Sequence, residues 1–144
     1  MNKQLYTKDE IVQKAKDLAK MIAETEEVEF FKQAEKQVNE NETVQKLISK
    51  IKRQQKEAVN LQHYDKREAL KQVEEKIDAL HNEIDEIPLV REFKQSQMDV
   101  NHLLQLVSST ISNTVTDEVI LSMGGNVLQG TTTNKSRGGG CGSC

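Results

Sequence analysis

Apolar residues recur along most of this 144-residue chain at steps of three and four, the spacing of one face of an α-helix. Thr7 and Glu10 form a capping-box pattern, which predicts that the first helix starts there. Thr25 and Asn41 stand at the starts of the next two stripes, each followed at once by an acidic residue. No useful length of the chain alternates with a period of two, so we expect no β-sheet.

The most regular stripe predicts a fourth helix, with Asp65 as its N-cap. Its apolar residues occupy the a and d positions of a heptad pattern: Leu70, Val73, Ile77, Leu80, Ile84 and Ile87. Pro88 suits only the first turn of a helix, so a fifth helix should begin there and end near Met123, before two glycines. The stripe of this last helix comprises Val90, Phe93, Val100, Leu104, Val107 and Ile111, with Gln97 as a polar interruption.

These patterns predict an all-α protein, an antiparallel helical bundle of about five helices, some of them long. The bundle domain should span residues 1–124, and residues 125–144 should form a flexible, Gly-rich C-terminal tail. The heptad seam is long for a chain of this size, so part of it should pack on another chain. We therefore expect an oligomer or partner interface, and a homodimer when the protein is alone, through these residues: Leu70, Val73, Ile77, Leu80 and Ile84.

Charge alternates along the chain, from an acidic segment to a basic one and back to an acidic one. Lys46, Lys50 and Arg53 lie in the basic segment and form a possible basic face on the third helix. Such a face can bind RNA by releasing counterions. Acidic neighbours and few aromatic residues instead favour a solvated or internally paired face, so we do not expect direct nucleic-acid binding. Steep weakening of RNA binding by salt would identify the alternative, a direct RNA-binding module.

Catalytic signatures are missing from the sequence: it has no Ser–His–Asp arrangement, Gly-rich phosphate loop or H-E-x-x-H motif. Two Asp-x-x-His pairs, Asp78 with His81 and Asp99 with His102, have the spacing of metal ligands in ferritin-like bundles. All four residues fall outside the a and d positions, so they should lie on the surface. We expect a protein that binds partners and is not an enzyme.

The N-terminus lacks the apolar core of a signal peptide, and the charge-free run from 102 to 116 is too short to span a bilayer. We therefore expect a cytoplasmic protein with no membrane insertion. Cys141 and Cys144 then lie in a reducing compartment, where a C-x-x-C pair offers two thiolates to zinc or an iron–sulfur cluster. Either site needs ligands from another chain. The alternative is an exposed thiol pair with no native role.

Four segments of the chain resemble the YlbF/YmcA family of bacillar bacteria, and within it the YmcA branch. They are residues 10–35, 54–64, 68–80 and 93–107, which begin EIVQKAKDLAKMIAETEEVEFF, QQKEAVNLQHY, EALKQVEEKIDAL and FKQSQMDVNHLLQLV. The resemblance covers most of the chain outside the tail. It rests on apolar-stripe sequences and on no catalytic signature.

The resemblance implies an all-helical regulatory subunit that joins a YlbF-like protein and a YaaT-like protein in a complex. That complex is expected to direct RNase Y during mRNA processing and to support competence, biofilm formation and sporulation. The resemblance also implies an iron–sulfur cluster whose cysteine ligands come from more than one subunit, with Cys141 and Cys144 among them. A homo-oligomeric structural protein with idle cysteines remains as a further alternative.

Overall fold

The computed structural model describes residues 3–129 of the chain and contains five α-helices within them. The helices are α1 (Lys8–Ala23), α2 (Glu26–Glu40), α3 (Glu42–His63), α4 (Arg67–Asp85) and α5 (Pro88–Ser122), followed by a 3₁₀ helix at Val127–Gln129. The described residues contain no β-strand, and the predicted all-α fold of five helices is confirmed. None of these helices combines the length and the apolarity that a membrane span requires.

The capping box at the start of α1 forms as the sequence predicts. The Thr7 hydroxyl accepts a hydrogen bond from the Glu10 backbone N–H at 3.2 Å, and the Thr7 backbone N–H donates to Glu10 Oε2 at 2.7 Å. The backbone hydrogen bond, and after it the one from the Thr7 hydroxyl, holds the pKa of Glu10 below its ordinary value of 4.5. Both bonds stabilise the carboxylate form, which also suits the positive end of a helix dipole.

The junction between α2 and α3 is closed by side-chain hydrogen bonds. Thr25 caps α2 with its hydroxyl, and Asn41 ends α2 and caps α3, its Oδ1 accepting from the Val44 N–H at 3.0 Å. Gln45 Nε2 donates to the Val38 carbonyl at 2.9 Å, so this carbonyl, which also accepts from the Asn41 backbone N–H at 3.3 Å, has a second partner from α3. Both helix starts predicted from Thr25 and Asn41 are confirmed.

Helices α3 and α4 form an antiparallel hairpin across a turn of three residues, 64–66. Asp65 has a φ of 51°, the left-handed region that short polar residues tolerate better than most. The N-cap of α4 is Lys66, whose side chain makes no capping bond, while Asp65 accepts from Arg67 Nε at 3.3 Å. The predicted N-cap at Asp65 is therefore wrong, because the tight turn uses this residue to reverse the chain.

The described chain divides into two compact units, one ending at Asn101 and the other beginning at His102, and α5 contributes to both. In the first unit, Phe31 of α2 stacks on Phe93 of α5 with ring centroids 5.6 Å apart. Its buried core draws on α2, α3, α4 and α5: Val38, Val44, Leu47, Ile51, Ile84 and Val90. The predicted domain boundary between residues 124 and 125 stays a prediction.

Helix α5 begins at Pro88 as predicted, but its buried polar position differs from the expected one. Gln97 is exposed and Ser96 is buried instead. The Ser96 hydroxyl donates to the Phe93 carbonyl at 2.7 Å, so its burial leaves no hydroxyl donor without a partner. The structure therefore buries the neighbour of the predicted residue, while Val100 and Val107 of the predicted stripe are half-buried.

In the second unit, two residues of the predicted α5 stripe are exposed. Leu104 is 47% exposed and Ile111 is 51% exposed, whereas Leu103 is half-buried. The covered face follows from Ser96 through residues 100, 103 and 107, so the prediction is corrected at Leu104 and Ile111. The helix ends at Ser122, close to the predicted end, and Gly124 follows in the left-handed region with a φ of 74°.

Candidate functional site

The predicted metal ligands, Cys141 and Cys144, lie outside the described residues 3–129. Within those residues, no group of three or more His, Cys, Asp or Glu side chains lies close enough together to hold a metal ion. The two Asp-x-x-His pairs have all four side chains exposed: Asp78, His81, Asp99 and His102.

The five residues predicted to form an interface between chains lie along the α3–α4 hairpin of this chain. Val73 and Ile84 are buried in it, and Leu70, Ile77 and Leu80 are half-buried. The seam is thus largely covered by the chain's own α3. A role for these residues between chains is not tested by a single chain and stays a prediction.

The basic residues of α3 find few partners on the neighbouring helix. Lys46 pairs with Glu42 of its own helix at 3.9 Å, and both side chains are largely exposed. Lys50, Lys52 and Arg53 make no ion pair within 4 Å to the part of the chain that the structure describes. The basic face is therefore mainly solvated, and cross-helix pairing with the acids of α4 does not form.

An open groove of about 450 Å³ runs between α3 and α4 beside this basic face. It is lined from α3 by Lys50, Arg53 and Gln54, and from α4 by Lys76, Ala79 and Leu80. Helix α4 carries six acidic and three basic residues. The charged residue that it contributes to the groove lining is nevertheless a basic one, Lys76. We call this the α3–α4 groove. Three cations thus line it, and no acid is among the lining residues in the part of the chain that the structure describes.

Gln54 interrupts the apolar face of α3, and sequence reasoning missed it. It stands between Ile51 and Ala58, in the same three-and-four spacing as the apolar residues on either side of it. Its Oε1 is buried and has no hydrogen-bond partner among the described residues. The signal in the sequence was a polar residue at an interior heptad position, which is a position where polar side chains usually have a specific role.

Helix α1 has an apolar face that the rest of its unit leaves largely open. None of its residues is buried. Ile11, which is 57% exposed, shares this face with Ala15, Leu18 and Ile22, of which Leu18 and Ile22 are half-buried. A face of this kind is typical of a helix that packs against a further protein surface.

A second exposed apolar face follows α5 through the second unit. Its residues recur at helical spacing: Leu104, Ile111, Val115 and Val119. Each is about half exposed or more, and no charged residue interrupts α5 between residues 100 and 116. These two helix faces, on α1 and on α5, are the candidate surfaces for association with other proteins.

Comparisons with known proteins give consistent results. The family model described as control of competence regulator ComK, YlbF/YmcA, matches residues 11–116. YmcA of Bacillus subtilis (strain 168) is 62% identical over 131 residues, which cover 91% of this chain and 92% of that protein. The regulatory protein YlbF of the same strain is 26% identical over 130 residues, 90% of this chain and 85% of that protein. The segment matched by the family model begins in α1, ends in α5 and includes the α3–α4 groove.

Proposed function

Because this chain belongs to the YlbF/YmcA family, as its sequence predicts, we propose that it is a non-catalytic regulatory subunit of a cytoplasmic complex. Its partners in this proposal are a YlbF-like protein and a YaaT-like protein. The complex directs RNase Y in mRNA processing and thereby supports competence, biofilm formation and sporulation. The description of the family, control of a competence regulator, supports the regulatory role.

The exposed apolar faces of α1 and α5 are the observation that carries the proposal. Monomeric proteins seldom leave regularly spaced apolar residues uncovered along a helix, because burying them on a partner is favourable. A YlbF-like protein belongs to the same family. Because YlbF of Bacillus subtilis matches 90% of the length of this chain, such a partner should present helices of similar pattern. Packing of such helices against each other explains a complex between two related subunits, and a homodimer when this chain is alone.

The proposal includes an iron–sulfur cluster shared between subunits. The whole chain has two cysteines, Cys141 and Cys144, and a cluster usually needs four thiolate or imidazole ligands. This chain would therefore hold part of the cluster, and partner cysteines would complete it. Such a cluster supplies one-electron redox chemistry when bound.

Loss of the two thiols should reduce the iron content of the complex. We expect the wild-type chain, purified anaerobically with its YlbF-like and YaaT-like partners, to carry iron and acid-labile sulfide, and the isolated chain to carry little. The double variant C141S/C144S should lose about half or more of the iron in the complex, since a thiolate is a much better iron ligand than a hydroxyl. Iron and sulfide analysis per complex measures the effect.

Ser143→Ala is the matched control, because it alters the tail between the cysteines and removes no thiol. It should keep the wild-type iron content, and all three proteins should keep the same helical circular dichroism. Undiminished iron and sulfide in C141S/C144S would overturn the role of the cysteines. Failure of the wild-type chain to co-purify with either partner would overturn the proposed complex itself.

A further inference from the structure

The α3–α4 groove gathers like charges in a way that the composition of its helices does not require. Lys50 and Arg53 of α3 face Lys76 of α4 across the groove. The acids of α4 outnumber its bases, yet the charged residue that α4 contributes to the groove is a base. Three cations around one concave surface repel one another, and an anion between them removes that repulsion.

Gln54 adds a hydrogen-bonding group to the lining of the same groove. Its amide has an acceptor and a donor end, and the buried Oε1 has no partner among the described residues. A buried carbonyl oxygen without a partner is unfavourable. Rotation of the amide about its last side-chain bond, which is a soft torsion, would bring Oε1 to the groove, so this position suits a ligand that offers an N–H or O–H group. A chloride or sulfate ion offers no such donor to it.

The remaining wall of the groove is apolar. Ala79 and Leu80 line it from α4. The groove therefore combines three cations, an amide and two apolar side chains around about 450 Å³, a volume within the usual range of small-molecule sites, about 300–1,000 Å³. These three features match the three parts of a nucleotide: its phosphate, the polar edge of its base and the flat face of its ring.

We propose that the α3–α4 groove is a nucleotide-binding site. Lys50, Arg53 and Lys76 bind the phosphate, for which the planar guanidinium of arginine is well suited. Gln54 accepts a hydrogen bond from the base, and Leu80 packs against the ring. Glutamine commonly pairs with adenine through both ends of its amide, so an adenine nucleotide is the probe of choice. This site is independent of the assembly proposed above.

Binding of adenosine 5′-monophosphate to the full-length wild-type chain tests the proposal, measured by isothermal titration at about 0.15 M salt, where the Debye length is about 8 Å. Saturable binding with one nucleotide per chain is expected, and adenosine should bind at least about tenfold more weakly because it lacks the phosphate. The variant K50Q/R53Q should also lose about tenfold or more in affinity. Absence of saturable binding by the wild-type chain, or equal binding of adenosine, would overturn the proposal.

Lys52→Gln with Lys56→Gln is the matched control for charge. Both lysines are exposed residues of α3 outside the groove lining. Their double replacement removes two positive charges, as many as K50Q/R53Q removes. The control should change affinity by less than about twofold, because charges outside the groove are screened by solvent. An equal loss in the two double variants would mean that bulk charge alone attracts the nucleotide, and the site would be rejected.

Gln54→Leu tests recognition of the base separately. Its affinity for adenosine 5′-monophosphate should fall to that of ribose 5-phosphate, while its affinity for ribose 5-phosphate should equal that of the wild type. Equal affinity of the wild type for these two ligands would overturn the role of Gln54 and of the base. The substitution places an apolar side chain on a face of α3 that is otherwise apolar, so the fold should be preserved. Circular dichroism checks this.

The nucleotide can come from the free pool or from an RNA strand, because both carry the same phosphate and base. A five-nucleotide adenylate RNA distinguishes these sources in competition with adenosine 5′-monophosphate. Tighter binding of the RNA, lost in K50Q/R53Q, would identify RNA as the ligand of the site. Tighter binding of the mononucleotide would identify a free nucleotide. Binding of RNA that is unaffected by K50Q/R53Q, with no binding of the mononucleotide, would reject the site.

Discussion

Gln54 occupies a position at which the neighbouring turns of α3 carry apolar side chains. Ile51 is buried one turn before it and Ala58 is half-buried one turn after it. Its buried Oε1 lacks a partner among the described residues, and an unpaired buried acceptor usually costs about 1–3 kcal/mol. A side chain retained at such a cost is better explained by binding than by folding, since natural sequences keep locally unfavourable residues mainly at functional sites.

Replacing Gln54 by Leu should therefore stabilise the free protein. We expect the free energy of unfolding to rise by about 1 kcal/mol, because the change removes an unpaired acceptor and buries a further apolar group. The melting temperature should rise by about 3–5 °C, measured by thermal circular dichroism without ligand. Gln55→Leu is the control: the residue is exposed, so its change should stay within about 0.5 kcal/mol. A less stable Q54L would show that the amide supports the fold.

Single polar residues also mark the limits of what the sequence could predict. Gln97 and Ser96 are adjacent, and either fits the polar gap in the stripe of α5. The structure buries Ser96 because a short hydroxyl can bond back to the Phe93 carbonyl, whereas the glutamine amide remains in solvent. Periodicity assigns residues to a face only to within one position, and local hydrogen bonding decides between neighbours.

At the scale of elements, the helix starts were predictable where one side chain alone provides the cap. Thr7, Thr25 and Asn41 each bond a backbone N–H of the first turn, and Pro88 begins α5. The start of α4 was not predictable in this way, because Asp65 is used by the turn. A sequence shows which residues are able to cap, but the conformation of the turn decides which of them does so.

Asn41→Ala should destabilise the α2–α3 junction. The Asn41 side chain caps α3 at 3.0 Å and is half-buried, so alanine removes the hydrogen bond and leaves the Val44 N–H without it. We expect a loss of about 1 kcal/mol in the free energy of unfolding, measured by urea denaturation. Asn41→Ser is the matched control, since a serine hydroxyl also caps a helix. Equal losses in the two variants would show that the cap contributes nothing.

At the scale of the whole molecule, the sequence predicted the number and type of helices but not which faces the chain covers by itself. Part of the stripe of α4 is expected to pack on another chain, and that stays a prediction, while Val73 and Ile84 of the same stripe are buried within this chain. The stripe of α5 was expected to be covered, yet Leu104 and Ile111 are exposed. A hydrophobic stripe shows that a face will be buried and does not identify its partner, because the same apolar residues suit an internal and an external surface.

The apolar face of α1 gives the clearest test of assembly, because changes there should leave the folded chain intact. Ile11 and Ala15 are exposed, so the double variant I11Q/A15Q removes no buried side chain. Its association with the YlbF-like partner should weaken about tenfold or more, since burying an isoleucine on a partner contributes about 1.5–3 kcal/mol. The dissociation constant measures the effect, and circular dichroism should be unchanged.

The double variant K16Q/K20Q is the control for this test, because both lysines lie on the opposite face of α1 and are exposed. It places the same two amides on the same helix but leaves the apolar face untouched. Since it also removes two charges, the variants should be compared at about 0.5 M salt, where screening acts over only a few ångströms. Under these conditions K16Q/K20Q should bind the partner as the wild type does. Equal binding by I11Q/A15Q would exclude the α1 face from the interface and leave the exposed face of α5 as the surface to test next.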